Sequence, residues 1–195
     1  PYGISGSSGT INKARAKGDY KDADFTDNED YIKETIIPII SRCIDMFPAV
    51  ILTPGIRCLP YYPAGYSFGC FYQRGASGMQ RFGNVDSQPI LYYGTNPTGR
   101  NLGKRLSFPL DFISRDNHNP HPCPKPPGSW LKLVLEHTLP GQTILDPFCG
   151  SGTTGECIRY GRKFIGFDIS KTYIDYSHKR LRDIKEQFYL IPHIA

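Results

Sequence analysis

Two short apolar runs, each closing on a carboxylate, organise the last third of the chain. Thr143-Ile144-Leu145-Asp146 and Lys163-Phe164-Ile165-Gly166-Phe167-Asp168 read as buried strands, and the glycines between them predict a turn that opens a helix. After Asp168, Ser170 predicts a helix cap. Tyr173, Ile174, Ser177, Leu181, Ile184 and Phe188 then fall on one helical stripe. Upstream, Thr26-Asp27-Asn28-Glu29 has the spacing of a capping box, and Ile32, Ile36, Ile40, Cys43, Ile44 and Phe47 recur at helical intervals. Pro38 is expected to kink that helix. Ala49-Val50-Ile51-Leu52-Thr53-Pro54 reads as a buried strand, and helix followed by buried strand predicts a parallel-sheet unit. Further strands are expected at residues 67–72 and 89–93, with loops at 74–86 and 95–105. Residues 5–25 are polar and lack periodicity, which predicts a loop.

Two strands near the end cannot make a doubly wound sheet, so the remaining strands must precede the glycine loop. The order is permuted relative to an ordinary dinucleotide-binding domain, which starts with that loop. Gly150 and Gly152 allow close backbone approach to a ligand, and Asp168 stands where ribose hydroxyls are gripped in such folds. Gly150-Ser151-Gly152-Thr153-Thr154-Gly155 also satisfies the G-x-G-x-x-G pattern, which makes an NAD-dependent enzyme a rival. The adjacent charge decides between ligands: Asp146 would repel a pyrophosphate but attract the ammonium and sulfonium of S-adenosylmethionine. A P-loop is excluded, because no Gly-Lys-Ser/Thr follows the loop.

Asp146-Pro147-Phe148-Cys149-Gly150-Ser151-Gly152-Thr153-Thr154 resembles the cofactor loop of amino-group-specific DNA methyltransferases, which modify adenine N6 or cytosine N4. His121-Pro122-Cys123-Pro124-Lys125-Pro126 is similar to the segment that contacts the methionine end of the cofactor in that family. The resemblance implies an α/β, Rossmann-like methyltransferase fold with permuted motif order and a small strand and loop insertion for target recognition. It implies S-adenosyl-L-methionine as cofactor, held by His121, Lys125, Pro126, Asp146, Pro147, Phe148, Gly150, Ser151, Gly152, Thr153 and Asp168. A zwitterionic tail needs a cation for its carboxylate and an anion for its ammonium, a division of work that suits Lys125 and Asp146.

Pro1-Tyr2-Gly3-Ile4 resembles the second half of the catalytic segment of these enzymes, Asp/Asn/Ser-Pro-Pro-Tyr. On that resemblance the chain begins inside the motif, with Pro1 and Tyr2 as its catalytic remnants and Tyr2 stacking on a base flipped from the duplex. The implied reaction is direct methyl transfer to an exocyclic amine, carried by positioning and electrostatics without a covalent intermediate. The expected division is a catalytic part at 1–59, a target-recognition region at 60–117 and a cofactor-binding part at 118–195.

The middle of the chain changes the picture of its partner. Tyrosines interleave there with Arg74, Arg81, Arg100, Lys104, Arg105 and Arg115, acidic residues are scarce, and the whole chain carries a formal charge of +5. Cations suit phosphates and aromatic rings suit bases, so double-stranded DNA is the expected partner, contacted by Arg74, Arg81, Arg100, Lys104 and Arg105. Pro122-Cys123 superficially matches the nucleophile pair of carbon-5 cytosine enzymes, but those place the cofactor loop before the cysteine. An RNA or protein amine methyltransferase, and a DNA- and cofactor-binding remnant without catalysis, stay open as alternatives.

Cys43, Cys58, Cys70, Cys123, Cys149 and Cys157 show no paired C-x-x-C spacing, which supports neither a zinc ribbon nor a disulfide framework. His118 and His121 lack a second pair of ligands, so no metal site is expected. No apolar run approaches the length of a membrane span, and the family setting is the cytoplasm of a bacterium, or of the bacterial host of a virus, with a homodimer and a cognate restriction nuclease as open partners. The resemblance predicts no methyl transfer by this chain alone. Supplying a preceding strand that ends in Asp-Pro or Ser-Pro should restore it, read as radiolabelled methyl incorporated into mixed duplexes; label transferred by the unextended chain would contradict the expectation.

Overall fold

The computed structural model describes residues 28–72, 78–80, 83–99, 103–111, 119–121 and 124–189. The chain divides into two compact units, Pro1–Leu110 and Asp111–Ala195. The described part of the first opens on a helical segment: α1 (Glu29–Tyr31), a π-helical stretch (Ile32–Ile36) and α2 (Ile37–Met46). Its cap is Asn28, whose side chain accepts the Tyr31 N–H at 2.9 Å. Thr26, the first residue of the expected capping box, lies outside the described residues. Pro38 stands near the start of α2, directly after the π-helical stretch. Proline has no N–H and its ring crowds the carbonyl four residues back; the wider π turn makes room for it. Ile32, Ile36 and Ile40, four residues apart, form the buried stripe. Phe47 is extended and 38 % exposed, so the expected stripe stops short of it.

The sheet of this unit runs β1-β5-β2-β6, with β1 at Ala49–Leu52, β2 at Ser67–Tyr72, β5 at Ser87–Gly94 and β6 at Phe108–Pro109. The expected parallel unit after the first helix is corrected here: β1 pairs antiparallel with β5, as does β2, and only the two-residue β6 joins in parallel. A continuous apolar run does not report the direction of a strand's neighbour, and β1 is half-buried along its length where a buried strand is expected. Phe71, Ile90, Leu91, Tyr92, Tyr93 and Phe108 fill the core around this sheet. β3 (Gly78–Gln80) and β4 (Gly83–Val85) form a short antiparallel pair inside the segment expected to be loop.

Two glycines fasten the next loop, residues 95–107, to this sheet. At its start, Gly94 has φ +76°, and a Cβ there would lie 2.1 Å from the Pro48 carbonyl oxygen. At its end the chain crosses Gly69 so closely that a Cβ would come within 1.6 Å of the Leu106 carbonyl oxygen. Tyr92 donates its hydroxyl to that same carbonyl at 2.8 Å, and Ser107 Oγ accepts the Cys70 N–H at 3.0 Å.

The second unit holds α3 (Pro127–Glu136), β7 (Thr143–Asp146), a 3-10 helix (Thr154–Tyr160), β8 (Lys163–Gly166) and α4 (Lys171–Tyr189). β7 and β8 are parallel, pairing Thr143 with Lys163 through Asp146 with Gly166. Both carboxylates therefore emerge at the same end of the pair, Asp146 on β7 and Asp168 two residues past β8. Ser170 caps α4 by accepting the Tyr173 N–H at 3.4 Å, and Ser177 and Ile184 of the expected stripe are buried. Among the described residues no helix is long and apolar enough to cross a membrane.

Gly69→Ala is expected to cost about 3 kcal/mol in urea unfolding, the upper range for overpacking, because backbone is what blocks the new methyl. Gly103→Ala, at φ +79° with nothing within 4 Å of the added carbon, should cost only the left-handed backbone penalty of about 1 kcal/mol.

Candidate cofactor site

β7 ends on a carboxylate that its own loop must satisfy. Asp146 accepts the Phe148 N–H at 3.0 Å through Oδ1 and the Thr154 hydroxyl at 2.5 Å through Oδ2. Thr154 Oγ1 in turn accepts the Trp130 indole N–H at 2.9 Å, so α3 orients the carboxylate through one hydroxyl. Asp168 clamps the same loop from the other strand. Its Oδ2 accepts the Gly150 N–H and its Oδ1 the Ser170 N–H, each at 2.9 Å. The two acids thus bracket the loop and hold it in shape, a structural role beyond the ligand contacts expected of them.

The loop itself is tightly turned. Gly150 and Gly152 have φ of +51° and +77°, conformations that glycine adopts without strain. The N–H groups of Gly152, Gly155 and Glu156 bond back to the carbonyls of Cys149, Gly152 and Thr153. The free N–H groups that a helix start ordinarily offers are accordingly reduced in number, because the 3-10 turn uses those of Gly152, Gly155 and Glu156 itself. A phosphate would want them.

The preceding segment closes over the loop. The His121 imidazole lies against Gly150, where a Cβ would stand 2.8 Å from its Cδ2, and 4.8 Å from the Tyr173 ring. Asn119 secures it: its Oδ1 accepts the His121 N–H at 3.0 Å and its Nδ2 donates to Ser151 Oγ at 3.3 Å. Pro126 is buried and caps α3, while Pro147 and Phe148 are half-buried; Ser151 and Thr153 are buried. Pro122 and Cys123 lie outside the described residues, as do Pro1 and Tyr2.

Lys125 supplies the positive charge. Its Nζ lies 5.2 Å from the centroid of the Trp130 ring. Burial pushes its pKa from 10.5 down to about 7, a shift that the negative charge of Asp146 partly opposes. Burial likewise raises Asp146, opposed by the Thr154 hydroxyl, the Phe148 N–H and Lys125. One cation and one anion, near enough to influence each other and poorly solvated, match a ligand that carries both charges. Cys149 is no nucleophile here: burial and the two nearby aspartates hold its thiol at about 12.

Sequence reasoning missed Trp130, Asn119 and Arg180. Trp130 lies on an amphipathic helix whose periodicity explains it as core, and Asn119 lies in a proline-rich stretch without period. Arg180 falls at the edge of the α4 stripe, three residues after Ser177 and four before Ile184, and its side chain is only 18 % exposed. In the first unit, Lys104 is half-buried and Arg105 exposed at the anchored end of the 95–107 loop, and Tyr66 and Phe68 are exposed on and beside β2. Arg74, Arg81 and Arg100 lie outside the described residues.

Comparison with known proteins sets this geometry in a family. The family model for N6/N4 methyltransferases, described as DNA methylase, matches residues 71–179, more than half of the chain. DNA adenine methyltransferase YhdJ of Escherichia coli K12 is 40 % identical over 80 residues, which are 40 % of this chain and 27 % of that protein. The type II methyltransferase M2.DpnII of Streptococcus pneumoniae is 48 % identical over 62 residues, covering 31 % and 23 %. The chain thus spans about a quarter of the length of these curated relatives. In fold it is similar to M1.HpyAVI, solved as a SAM complex, with TM-score 0.61 and 23 % identity over 76 % of this chain and 82 % of that one.

The lowered pKa of Lys125 carries a pH signature. Between about pH 7 and 10.5 the unfolded chain keeps this proton and the folded chain has released it, so stability rises with pH across that window. Lys125→Met should abolish the rise, so that denaturation at a series of pH values finds the variant gaining on the wild type as pH falls towards 7. A wild-type-minus-variant difference that stays flat across the window would contradict the burial assigned to this lysine.

Proposed function

Because this chain belongs to the DNA methylase family, we propose that it serves S-adenosylmethionine-dependent methylation of an exocyclic amino group on a DNA base, with adenine N6 favoured over cytosine N4. The observation that supports this reading is the poorly solvated Lys125 and Asp146, close enough for each charge to offset part of the other's burial, beside a loop that turns the N–H groups of Gly152, Gly155 and Glu156 back onto itself. When bound, S-adenosylmethionine supplies a methyl group activated by its sulfonium. Lys125 would hold the carboxylate of its amino acid end and Asp146 the ammonium, each recovering the solvation that burial has removed. Asp168 keeps lone pairs beyond the two N–H bonds it accepts, and these suit ribose hydroxyls. His121 covers Gly150 and keeps water from that part of the loop.

M1.HpyAVI forms a complex with the same cofactor, and the names of the relatives refer to adenine and type II methyltransferases; both support the reading. Duplex DNA is the proposed substrate, approached by the cation-bearing loop that ends at Lys104 and Arg105, with Arg74, Arg81 and Arg100 as further phosphate contacts and Tyr2 as the stacking partner of the base. The bacterial sources of the relatives support a bacterial setting, with the cytoplasm as the proposed compartment.

Calorimetry should find binding of S-adenosylmethionine and none of NAD. Asp146→Ala should weaken that binding by about tenfold or more, the usual scale for losing a charge-assisted contact of about 1.5–3 kcal/mol. Binding of NAD in preference, or unchanged affinity in Asp146→Ala, would overturn the assignment.

A further inference from the structure

α4 is seated directly on the glycine loop. A Cβ at Gly152 would lie 2.2 Å from Ser177 Oγ, and one at Gly155 would lie 2.7 Å from Leu181 Cδ1. Arg180 reaches the loop from the same stretch of helix. Its Nη1 donates to the Ser151 carbonyl at 3.2 Å and lies 3.3 Å from Thr153 Oγ1. Its Nε donates to Glu156 Oε1 at 3.0 Å, and Nη2 donates to the same oxygen. Both members of this ion pair are largely buried, with side-chain exposures of 18 % and 17 %.

A buried ion pair is a poor source of stability, since desolvation offsets most of the attraction and apolar residues of similar volume often do as well. Stability alone therefore gives little reason for a guanidinium here. What the guanidinium adds is a planar set of directed donors, which a methionine or leucine lacks. Two of its contacts fall on the glycine loop itself: on Ser151, whose hydroxyl takes the Asn119 amide, and on Thr153, which directly precedes the 3-10 helix.

We propose that Arg180 is a positioning residue for the cofactor loop. It fixes the Ser151 carbonyl and the Thr153 hydroxyl, keeps Gly150 within reach of Asp168 and His121, and so sets the affinity for the methyl donor without touching it. Glu156 serves as its counter-charge. The proposal rests on reading this loop as the donor site.

Three variants separate positioning from bulk stability. Arg180→Met leaves Glu156 buried without its partner and should lower the melting temperature. Adding Glu156→Gln removes that stranded charge and should recover most of the melting temperature. If Arg180 positions the loop, the double variant still binds S-adenosylmethionine about tenfold or more weakly than wild type in calorimetry, and its amides at Ser151–Gly155 exchange hydrogen faster. Arg180→Lys, which can keep the ion pair with fewer directed donors, should fall between, and it decides the matter if the double variant does not fold. Unchanged loop exchange in the folded variants overturns the proposal, as does wild-type affinity in the double variant. Failure of the wild type to bind the donor would instead sink the functional reading, and the exchange comparison would still decide the role of Arg180.

Discussion

A carboxylate set at or just past the end of a half-buried strand must find hydrogen-bond donors, and the geometry of this site follows from how Asp146 and Asp168 find them. Asp146 draws in the Phe148 N–H and the Thr154 hydroxyl; Asp168 draws in the N–H groups of Gly150 and Ser170. Each therefore folds the chain beyond it into a turn, and the two turns meet at Gly150. A charge-assisted bond of this kind is worth roughly twice a neutral one, which suffices to hold a loop whose glycines otherwise favour many conformations. The same negative charges make the site a poor host for phosphate and a good one for an ammonium or sulfonium. Loop shape and ligand preference thus have one cause.

Elements whose period matches their burial were legible in the sequence. The stripe of Ile32, Ile36 and Ile40, strand β2 at its full length, Asp146 at the end of β7 and the serine cap of α4 stand where the pattern puts them, whereas β8 stops at Gly166, two residues short of Asp168, and Ile165 and Phe167 are exposed. Strand direction was not legible, because the apolar run of β1 does not record the direction of its antiparallel partner, which lies some forty residues away in the chain. The hairpin of β3 and β4 was hidden for a different reason: its strands are three residues each, too short for a period to show.

Within the site, residues recognised by chemistry were easier to read than residues recognised by geometry. Asp146 and Asp168 announce themselves as charges flanking a glycine loop, and Lys125 through the segment 121–126 that resembles the family's. Trp130 and Arg180 do not, since an indole on an amphipathic helix and an arginine on a long charged one have ordinary explanations. Their role emerges only once the fold brings the indole N–H to Thr154 and the guanidinium to Ser151.

The protein contains one tryptophan, and that residue stands in the hydrogen-bond chain that ends on Asp146, with the Lys125 ammonium over its ring. Indole emission responds to nearby charge and to the polarity around its N–H. The molecule is therefore fitted with its own optical gauge: whatever alters the balance between that lysine and that aspartate will alter the colour or yield of its one indole, with no label to attach.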